Sequence, residues 1–190
     1  MSNNTLDIVA LSGSLRAGSF NARLLEIAKD LAPKDAEIEI YDYSDVPLYN
    51  GDLDDANAPA AVQHLRERIR RADAVLIATP EYNFSVPGVL KNALDWASRP
   101  AGKSALNGKP AAVIGASTGM FGAVWAQAET RKVLGALGGR VVEAELPVAK
   151  AAELAVEDGR LELDPQLSEQ LEQILSELVA AVEEAEALAV

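Results

Sequence analysis

Small polar side chains and one arginine follow the first apolar run of the sequence. Residues 6–11 are apolar apart from one aspartate, and a helix-like pattern begins near residue 20. A strand that stops at small residues and continues as a helix leaves backbone N–H groups unpaired at one point, which favours an anion. Further donors would come from Ser14, Arg16, Ser19 and Asn21. This pattern predicts a phosphate-binding loop, although an ordinary serine-capped turn would share it.

Two later loops also follow apolar runs of strand length. Residues 74–78 and 111–116 are both uninterrupted apolar runs, as is typical of strands buried on both faces. Because neighbouring parallel strands end at the same sheet edge, we expect the loops after them to meet the first loop. The candidate residues of these two loops are Pro80, Glu81, Tyr82, Asn83, Ser117, Thr118 and Gly119.

Strand-like and helix-like patterns alternate along the whole chain. The predicted strands are 6–11, 37–41, 74–78, 111–116 and 140–146. The predicted helices are about 20–31, 60–72, 86–98, one ending near 137, and 165–188. This alternation predicts an α/β fold with a doubly wound, five-stranded parallel sheet and helices on both faces. The flavodoxin-like strand order 2-1-3-4-5 would bring the three loops together. We expect a single domain over residues 1–190, with the C-terminal helix packing on it.

Two helices carry side chains whose surroundings the pattern leaves open. Trp96 lies to one side of the apolar stripe of the 86–98 helix, so it either completes the core or faces a second subunit. The arginines of the 60–72 helix, Arg66, Arg68, Arg70 and Arg71, lie largely off its apolar face. His64 on the same helix is expected to be a surface residue.

The composition excludes several functional classes. A formal net charge of −12 and a pI near 4.5 argue against nucleic acid or an anionic membrane as a partner. The sequence has no cysteine, which excludes disulfides, thiolate nucleophiles and cysteine-held iron–sulfur clusters. No apolar run approaches the ~20 residues that span a bilayer, and we expect a cytoplasmic protein. Asp52, Asp54 and Asp55 lack the pattern of a calcium loop, so we predict a solvated acidic loop and no metal site.

Other phosphate-binding or catalytic motifs are incomplete. A dinucleotide fingerprint needs glycine where Leu15 stands, and a Walker loop needs lysine and a hydroxyl residue where Ser19 and Phe20 stand. Residues 115–119 match the G-x-S-x-G motif of hydrolases, but the histidine of that triad follows the serine and His64 precedes it. A phosphoacceptor domain would need clustered aspartates at the strand ends. A mononucleotide with one phosphate and a flat ring remains, and FMN is such a ligand.

Residues 13–21, 80–88 and 90–96 resemble the phosphate loop, the flavin-ring loop and the following helix of the NAD(P)H-dependent FMN reductase family. That family includes quinone, chromate and azo-compound reductases, and the resemblance extends from about residue 6 to 146. It implies non-covalent FMN with three groups of contacts. They are Ser14, Arg16, Ser19, Phe20 and Asn21 around the phosphate, Pro80, Glu81, Tyr82 and Asn83 beside the isoalloxazine, and Ser117, Thr118 and Gly119 near the ring or ribityl chain.

The resemblance also implies an activity. NAD(P)H would deliver a hydride to flavin N5, and a quinone, free flavin or similar acceptor would then be reduced by a ping-pong route, with no catalytic acid or base from the protein. It further implies a homodimer or homotetramer, with Trp96 as a candidate anchor at the subunit contact. Two alternatives stay open: a flavodoxin-like electron carrier without NAD(P)H turnover, whose acidic surface would dock redox partners, and an FMN-binding sensor.

Overall fold

Strands and helices alternate along the chain. The computed structural model describes residues 5–54, 58–156 and 160–189. The strands are β1 (Leu6–Ser12), β2 (Ala36–Ile40), β3 (Ala74–Thr79), β4 (Pro110–Ala116), β5 (Arg140–Val141) and β6 (Pro147–Val148). The helices are α1 (Phe20–Asp30), α2 (Ala60–Arg71), α3 (Gly88–Ala97), α4 (Val124–Ala136) and α5 (Pro165–Ala189), with a 3-10 turn at Gly51–Leu53.

The strands form one parallel sheet in the order β2-β1-β3-β4-β5, with β6 also paired to β4. The predicted flavodoxin-like order is therefore confirmed. Successive side chains of β1 enter opposite layers of the core: Ile8 packs on one face of the sheet, and Val9 packs on the other. Burial on both faces explains why β1, β3 and β4 read as nearly continuous apolar runs.

The helices cover both faces, as predicted. The core cluster on one face contains residues of α1 and α5, including Leu25 and Leu175. The cluster on the other face contains residues of α2, α3 and α4, including Leu65, Leu94 and Leu134. Each helix therefore contributes its apolar stripe to the sheet, which supplies a rigid support for the loops at the strand ends.

The predicted final strand, 140–146, is wrong as one continuous strand. β5 pairs with the start of β4, and β6 pairs with its end. Between them, the buried Gln127 of α4 bonds to Leu146: its Nε2 donates to the Leu146 carbonyl (3.2 Å), and the Leu146 N–H donates to its Oε1 (3.3 Å). A side chain from a helix thus satisfies backbone groups where the strand is interrupted. The residue pattern of 140–146 does not indicate that the Gln127 side chain will bond to its backbone.

The segment after β2 is fastened to α2 and α3 through a buried cluster. Trp96 is fully buried, and its Nε1 donates to the Pro47 carbonyl at 2.7 Å. Arg66, which is 5% exposed, donates from Nε to the Trp96 carbonyl (2.9 Å) and from Nη2 to Asp54 Oδ1 (2.6 Å). Arg66 is therefore buried although it lies off the apolar stripe of α2. The expected solvated role of Asp54 is wrong, and Trp96 is not a subunit anchor. Asp55 lies outside the described residues.

Candidate active site

Three loops meet at the carboxyl edge of the sheet. The register places Ser12 beside Ala78 and Thr79 beside Gly115, so β1, β3 and β4 end side by side. The loops after these strands border a cleft of about 110 Å³. Its lining residues, which come from the three loops and the strand end at Ala116, are Ser14, Arg16, Ser19, Phe20, Asn21, Pro80, Glu81, Tyr82, Ala116, Ser117 and Thr118. The residues predicted for cofactor binding all lie in this lining except Asn83 and Gly119.

Serine side chains hold the first loop in shape. The hydroxyl of Ser12 donates to the carbonyl of Ser14 (3.1 Å) and accepts from the Ser14 N–H (3.4 Å). Ser19 caps α1, since its hydroxyl accepts from the N–H of Ala22. Ser14 and Ser19 are both buried, although each also lines the cleft. The predicted capping serine is therefore present, and hydrogen bonds within the loop help to hold its shape.

The start of α1 leaves donors available to a ligand. Within the part of the chain that the structure describes, the N–H groups of Phe20 and Asn21 donate to no protein acceptor. Arg16 is exposed beside them, and its Nη2 donates to the carbonyl of Gly18 at 3.2 Å. Two free N–H groups at a helix N-terminus, neighbouring hydroxyls and one guanidinium suit a single phosphate group. These residues fit the phosphate of FMN.

The Asn21 side chain is engaged within the protein. Its Nδ2 donates to the carbonyl of Ala116, and its Oδ1 accepts from the N–H of Ala116, both at 2.9 Å. The amide therefore joins the first turn of α1 to the end of β4, and only its backbone N–H remains for a phosphate. Reasoning from the sequence placed Asn21 in the site but missed this link, because Ala116 is 95 positions away.

Tyr43 supports the end of β1, where the first loop begins, and no sequence pattern around it indicates this role. Its hydroxyl donates to the carbonyl of Ser12, the last residue of β1. The side chain is almost completely buried, and this burial raises the pKa of the phenol above its ordinary value. Tyr43 therefore stays protonated at neutral pH and keeps its donor on Ser12.

The second loop makes a tight turn next to the first. Tyr82 and Ser85 exchange backbone hydrogen bonds, and the two residues between them, Asn83 and Phe84, have φ of 53° and 61°. Positive φ at both central positions is typical of a type I′ turn, and it is unfavourable for a phenylalanine. A Cβ on Gly13 would lie 3.0 Å from Cδ of Pro80. A larger residue there would force Pro80 to shift by a few tenths of an ångström, so glycine favours this close approach of the first and second loops.

The carboxylate of Glu81 is directed to α4. Its Oε2 accepts from the backbone N–H groups of Trp125 (3.0 Å) and Ala126 (3.1 Å). The residue was predicted to border the isoalloxazine, and it does line the cleft. Its side chain, however, ties the second loop to the helix that follows the third loop.

The third loop contains the hydrolase-like segment 115–119. A Cβ on Gly115 would lie 2.8 Å from the carbonyl oxygen of Thr79, so packing between β3 and β4 explains this glycine. The backbone of Ser117 is fixed, because its N–H donates to Val148 and its carbonyl accepts from Ala151. His64 is exposed on α2. The structure thus explains the G-x-S-x-G match at residues 115–119 by packing between strands and not by hydrolase chemistry.

Exposed apolar side chains lie beside the cleft. We call this group the apolar rim; its members are Tyr82, Phe84, Met120, Phe121 and Trp125. Phe84 and Phe121 each meet Trp125 edge to face, with ring centroids 5.3 and 5.0 Å apart. Exposed aromatic side chains in mutual contact, as in these two pairs, are typical of surfaces that bind a ligand or another protein.

No described helix is long and apolar enough to cross a membrane. The described residues also contain no group of three or more histidine, aspartate or glutamate side chains arranged to hold a metal ion.

Comparison with known proteins connects this geometry to a family. The family model described as NADPH-dependent FMN reductase matches residues 6–153. An NAD(P)H-dependent FMN reductase of Pseudomonas aeruginosa is 45% identical over 174 residues, which cover 91% of this chain and 93% of that protein. A 2-hydroxy-1,4-benzoquinone reductase of a Burkholderia species is 48% identical over 128 residues, or 67% of this chain and 69% of that protein.

A solved structure supports the same assignment. The flavoenzyme NAD(P)H:(acceptor) oxidoreductase FerB of Paracoccus denitrificans superimposes with a TM-score of 0.82 and 39% identity, covering 95% of this chain and 98% of that one. The similarity thus extends over both the sequence and the fold. It confirms the predicted oxidoreductase class and the predicted use of FMN with NAD(P)H. The chain belongs to the NADPH-dependent FMN reductase family.

Proposed function

We propose that this protein uses FMN to pass electrons from NAD(P)H to a quinone or free flavin. The observation that carries the proposal is the meeting of three loops at one cleft, which is lined by Arg16, by the start of α1 with its free N–H groups, and by Tyr82. Bound FMN would supply the redox chemistry that connects NAD(P)H to the acceptor.

The protein's own residues would bind and orient the cofactor. Ser14, Arg16 and Ser19, with the N–H groups that begin α1, would hold the phosphate. The backbone of Pro80 to Tyr82 would border the isoalloxazine. The Glu81 N–H is the donor that this segment would offer to the ring, because proline has no N–H and the Tyr82 N–H donates to Ser85. Asn83 and Gly119, which lie outside the cleft lining, are the weakest members of the predicted contact set. No side chain is required as a catalytic acid or base.

The two substrates would use the cleft in turn, which is a ping-pong order. The apolar rim gives the cleft a surface suited to flat, apolar acceptors, and quinones have this shape. Azo compounds and chromate are further acceptors to be tried. Parallel lines in double-reciprocal plots of rate against NAD(P)H, at several quinone concentrations, would support the order, and intersecting lines would exclude it.

The direct test uses the purified full chain. After incubation with FMN and desalting, we expect a yellow protein that oxidises NADPH or NADH when benzoquinone is present. A colourless protein would refute the proposal. A yellow protein without NAD(P)H oxidation would favour the flavodoxin-like electron carrier, an alternative that the net charge of −12 supports through docking to basic partners.

The proposal includes a homodimer or homotetramer assembled through the part of the apolar rim around Trp125, which leaves Tyr82 in the cleft lining for the acceptor. Trp125 is 42% exposed within this group, and exposed tryptophan is enriched at protein interfaces. It replaces the buried Trp96 as the candidate anchor. Mass measurement in solution tests the assembly, with Trp125→Ala as the variant expected to dissociate. The cytoplasmic location stays a prediction that cell fractionation can test.

A further inference from the structure

Helix α4 begins without a cap of its own. The residue before it, Ala123, has φ of 63° and no side chain that can accept a hydrogen bond. The first N–H groups of any helix lack partners within the helix, and their partial positive charge favours an anionic acceptor. A side-chain cap for α4 would therefore have to come from elsewhere in the chain.

Glu81 supplies this cap from the second loop. Its Oε2 accepts from the N–H groups of both Trp125 and Ala126, which are 44 and 45 positions away. Glu81 follows Pro80 directly, and Pro80 is in close contact with the first loop at Gly13. The position of one carboxylate therefore connects the start of α4 to the part of the second loop that lines the cleft.

Two more contacts fasten the same loop to α4. The hydroxyl of Ser85 donates to Oε2 of Glu129 at 2.6 Å, and the ring of Phe84 meets Trp125 edge to face at 5.3 Å. The loop is thus bound to the first turns of the helix at both of its ends. Contacts of this kind restrict the shapes open to the loop, which reduces the entropy that ligand binding would otherwise cost.

We propose that Glu81 is a positioning residue, which holds the ring-side loop in its FMN-binding shape by capping helix α4. The residue acts through hydrogen bonds to the backbone of Trp125 and Ala126, and it requires no contact with the reacting atoms. The inference rests on the proposed function, since it concerns the affinity of the same cleft for FMN and the fit of NAD(P)H beside it.

The experiment compares Glu81→Ala and Glu81→Gln with the wild-type protein. The dissociation constant of FMN is measured from the quenching of flavin fluorescence, and kcat and KM for NAD(P)H are measured at saturating FMN. We expect Glu81→Ala to weaken FMN binding by about fivefold, the size of a typical lost helix cap. KM should rise more than kcat falls. The glutamine amide oxygen can still accept, so Glu81→Gln should remain within about twofold of the wild type.

A matched control separates the cap from the loss of charge. Glu143→Ala removes one carboxylate from an exposed position outside the cleft, and it should bind FMN as the wild type does. Ser85→Ala breaks the second fastening and should weaken FMN binding by about twofold, since it removes one neutral donor. If Glu81→Ala does not fold, Ser85→Ala and Glu81→Gln test the inference through the FMN dissociation constant and the values of kcat and KM for NAD(P)H.

Three results would overturn the inference. Unchanged FMN affinity and KM in folded Glu81→Ala, even with a lower melting temperature, would show a role in stability alone. A Glu81→Gln variant as weak as Glu81→Ala would show that the charge matters and the cap does not. Unchanged binding in Ser85→Ala, where Glu81→Ala cannot be measured, would show that the loop needs no fastening. Failure of the wild-type protein to bind FMN is a different result, which would refute the proposed function itself.

Discussion

Asn21 in the first turn of α1 and Ala116 at the end of β4 exchange two hydrogen bonds, each 2.9 Å long. Both residues line the candidate FMN cleft, and both are buried. The pair therefore fixes the helix that would bind the phosphate relative to the strand that leads into the third loop. The shape of the cleft therefore depends on the Asn21 amide as well as on the side chains that would contact the ligand.

Removing the Asn21 amide should destabilise the protein. Asn21→Ala leaves the buried N–H and carbonyl of Ala116 without partners, at about 1–3 kcal/mol each. We expect a loss of about 2–4 kcal/mol in the free energy of unfolding, measured by urea titration of the FMN-free protein. Asn21→Asp has nearly the same size but places an acceptor opposite the Ala116 carbonyl, so it should lose at least as much. A well-tolerated aspartate would contradict the assigned hydrogen bonds.

Arg16→Ala should weaken FMN retention and leave the chemistry intact. A hydrogen bond to a charged group contributes about 1.5–3 kcal/mol, so the FMN dissociation constant should rise about tenfold or more. The value of kcat at saturating FMN should change little. Lys29→Ala is the control, because it also removes one positive charge but lies at the far end of α1, roughly 13 Å along the helix. An unchanged dissociation constant in Arg16→Ala would remove Arg16 from the phosphate site.

Tyr43→Phe should reduce stability and change its pH dependence. The variant leaves the carbonyl of Ser12 without its donor, which costs about 1–2 kcal/mol at neutral pH. Burial raises the pKa of Tyr43 above 10.0 in the folded state. Its contribution is therefore complete below about pH 10 and is lost as the pH rises toward the folded value.

Urea titrations from about pH 8 to about pH 11 would test this expectation. The free energy of unfolding of the wild type should fall with pH above about 10, and the fall should be shallower in Tyr43→Phe. Equal slopes in the two proteins would mean that the folded state does not protect the Tyr43 proton.

Gly115→Ala should be strongly destabilising. Its Cβ would lie 2.8 Å from the carbonyl oxygen of Thr79 and 2.9 Å from Nε2 of Gln127, so the backbone between β3 and β4 would have to move. We expect a loss of about 1–3 kcal/mol, as for other overpacked cores. Gly135→Ala is the control, because a Cβ there meets nothing within 4 Å inside α4. It should raise the stability by about 0.5–1 kcal/mol, since alanine favours a helix. Equal effects in the two variants would argue against the close approach at Gly115.

Asp54→Ala should lower the free energy of unfolding far more than removal of an exposed carboxylate does. It leaves the guanidinium of Arg66 buried without its charged partner, at about 3–5 kcal/mol. Asp95→Ala breaks the exposed ion pair between Lys91 and Asp95 one helical turn apart, at about 0.3–0.5 kcal/mol. Thermal or urea unfolding of the two variants provides the comparison. Similar losses would show that the Arg66–Asp54 pair is accessible to water.

Local patterns in the sequence were sufficient for the architecture and for the place of the site. Apolar runs of strand length, helical periodicity and small residues at the strand ends correctly predicted the order β2-β1-β3-β4-β5 and the meeting of three loops. They succeeded because burial on one or both faces of an element imposes a periodic pattern on consecutive residues. The prediction failed at residues 140–146, where a side chain of α4 bonds to the backbone between β5 and β6.

The tertiary structure alone decided what individual polar and aromatic side chains do. Asn21 bonds to Ala116 across 95 positions, Tyr43 to Ser12 across 31, and Arg66 to Trp96 across 30. A polar side chain exchanges water for whichever donor or acceptor the fold brings within hydrogen-bond distance, and residues far away in the chain determine that partner. The sequence by itself thus determined which loops form the cleft and which chemistry they suit. The packed fold determined which of their side chains remain free to bind a ligand.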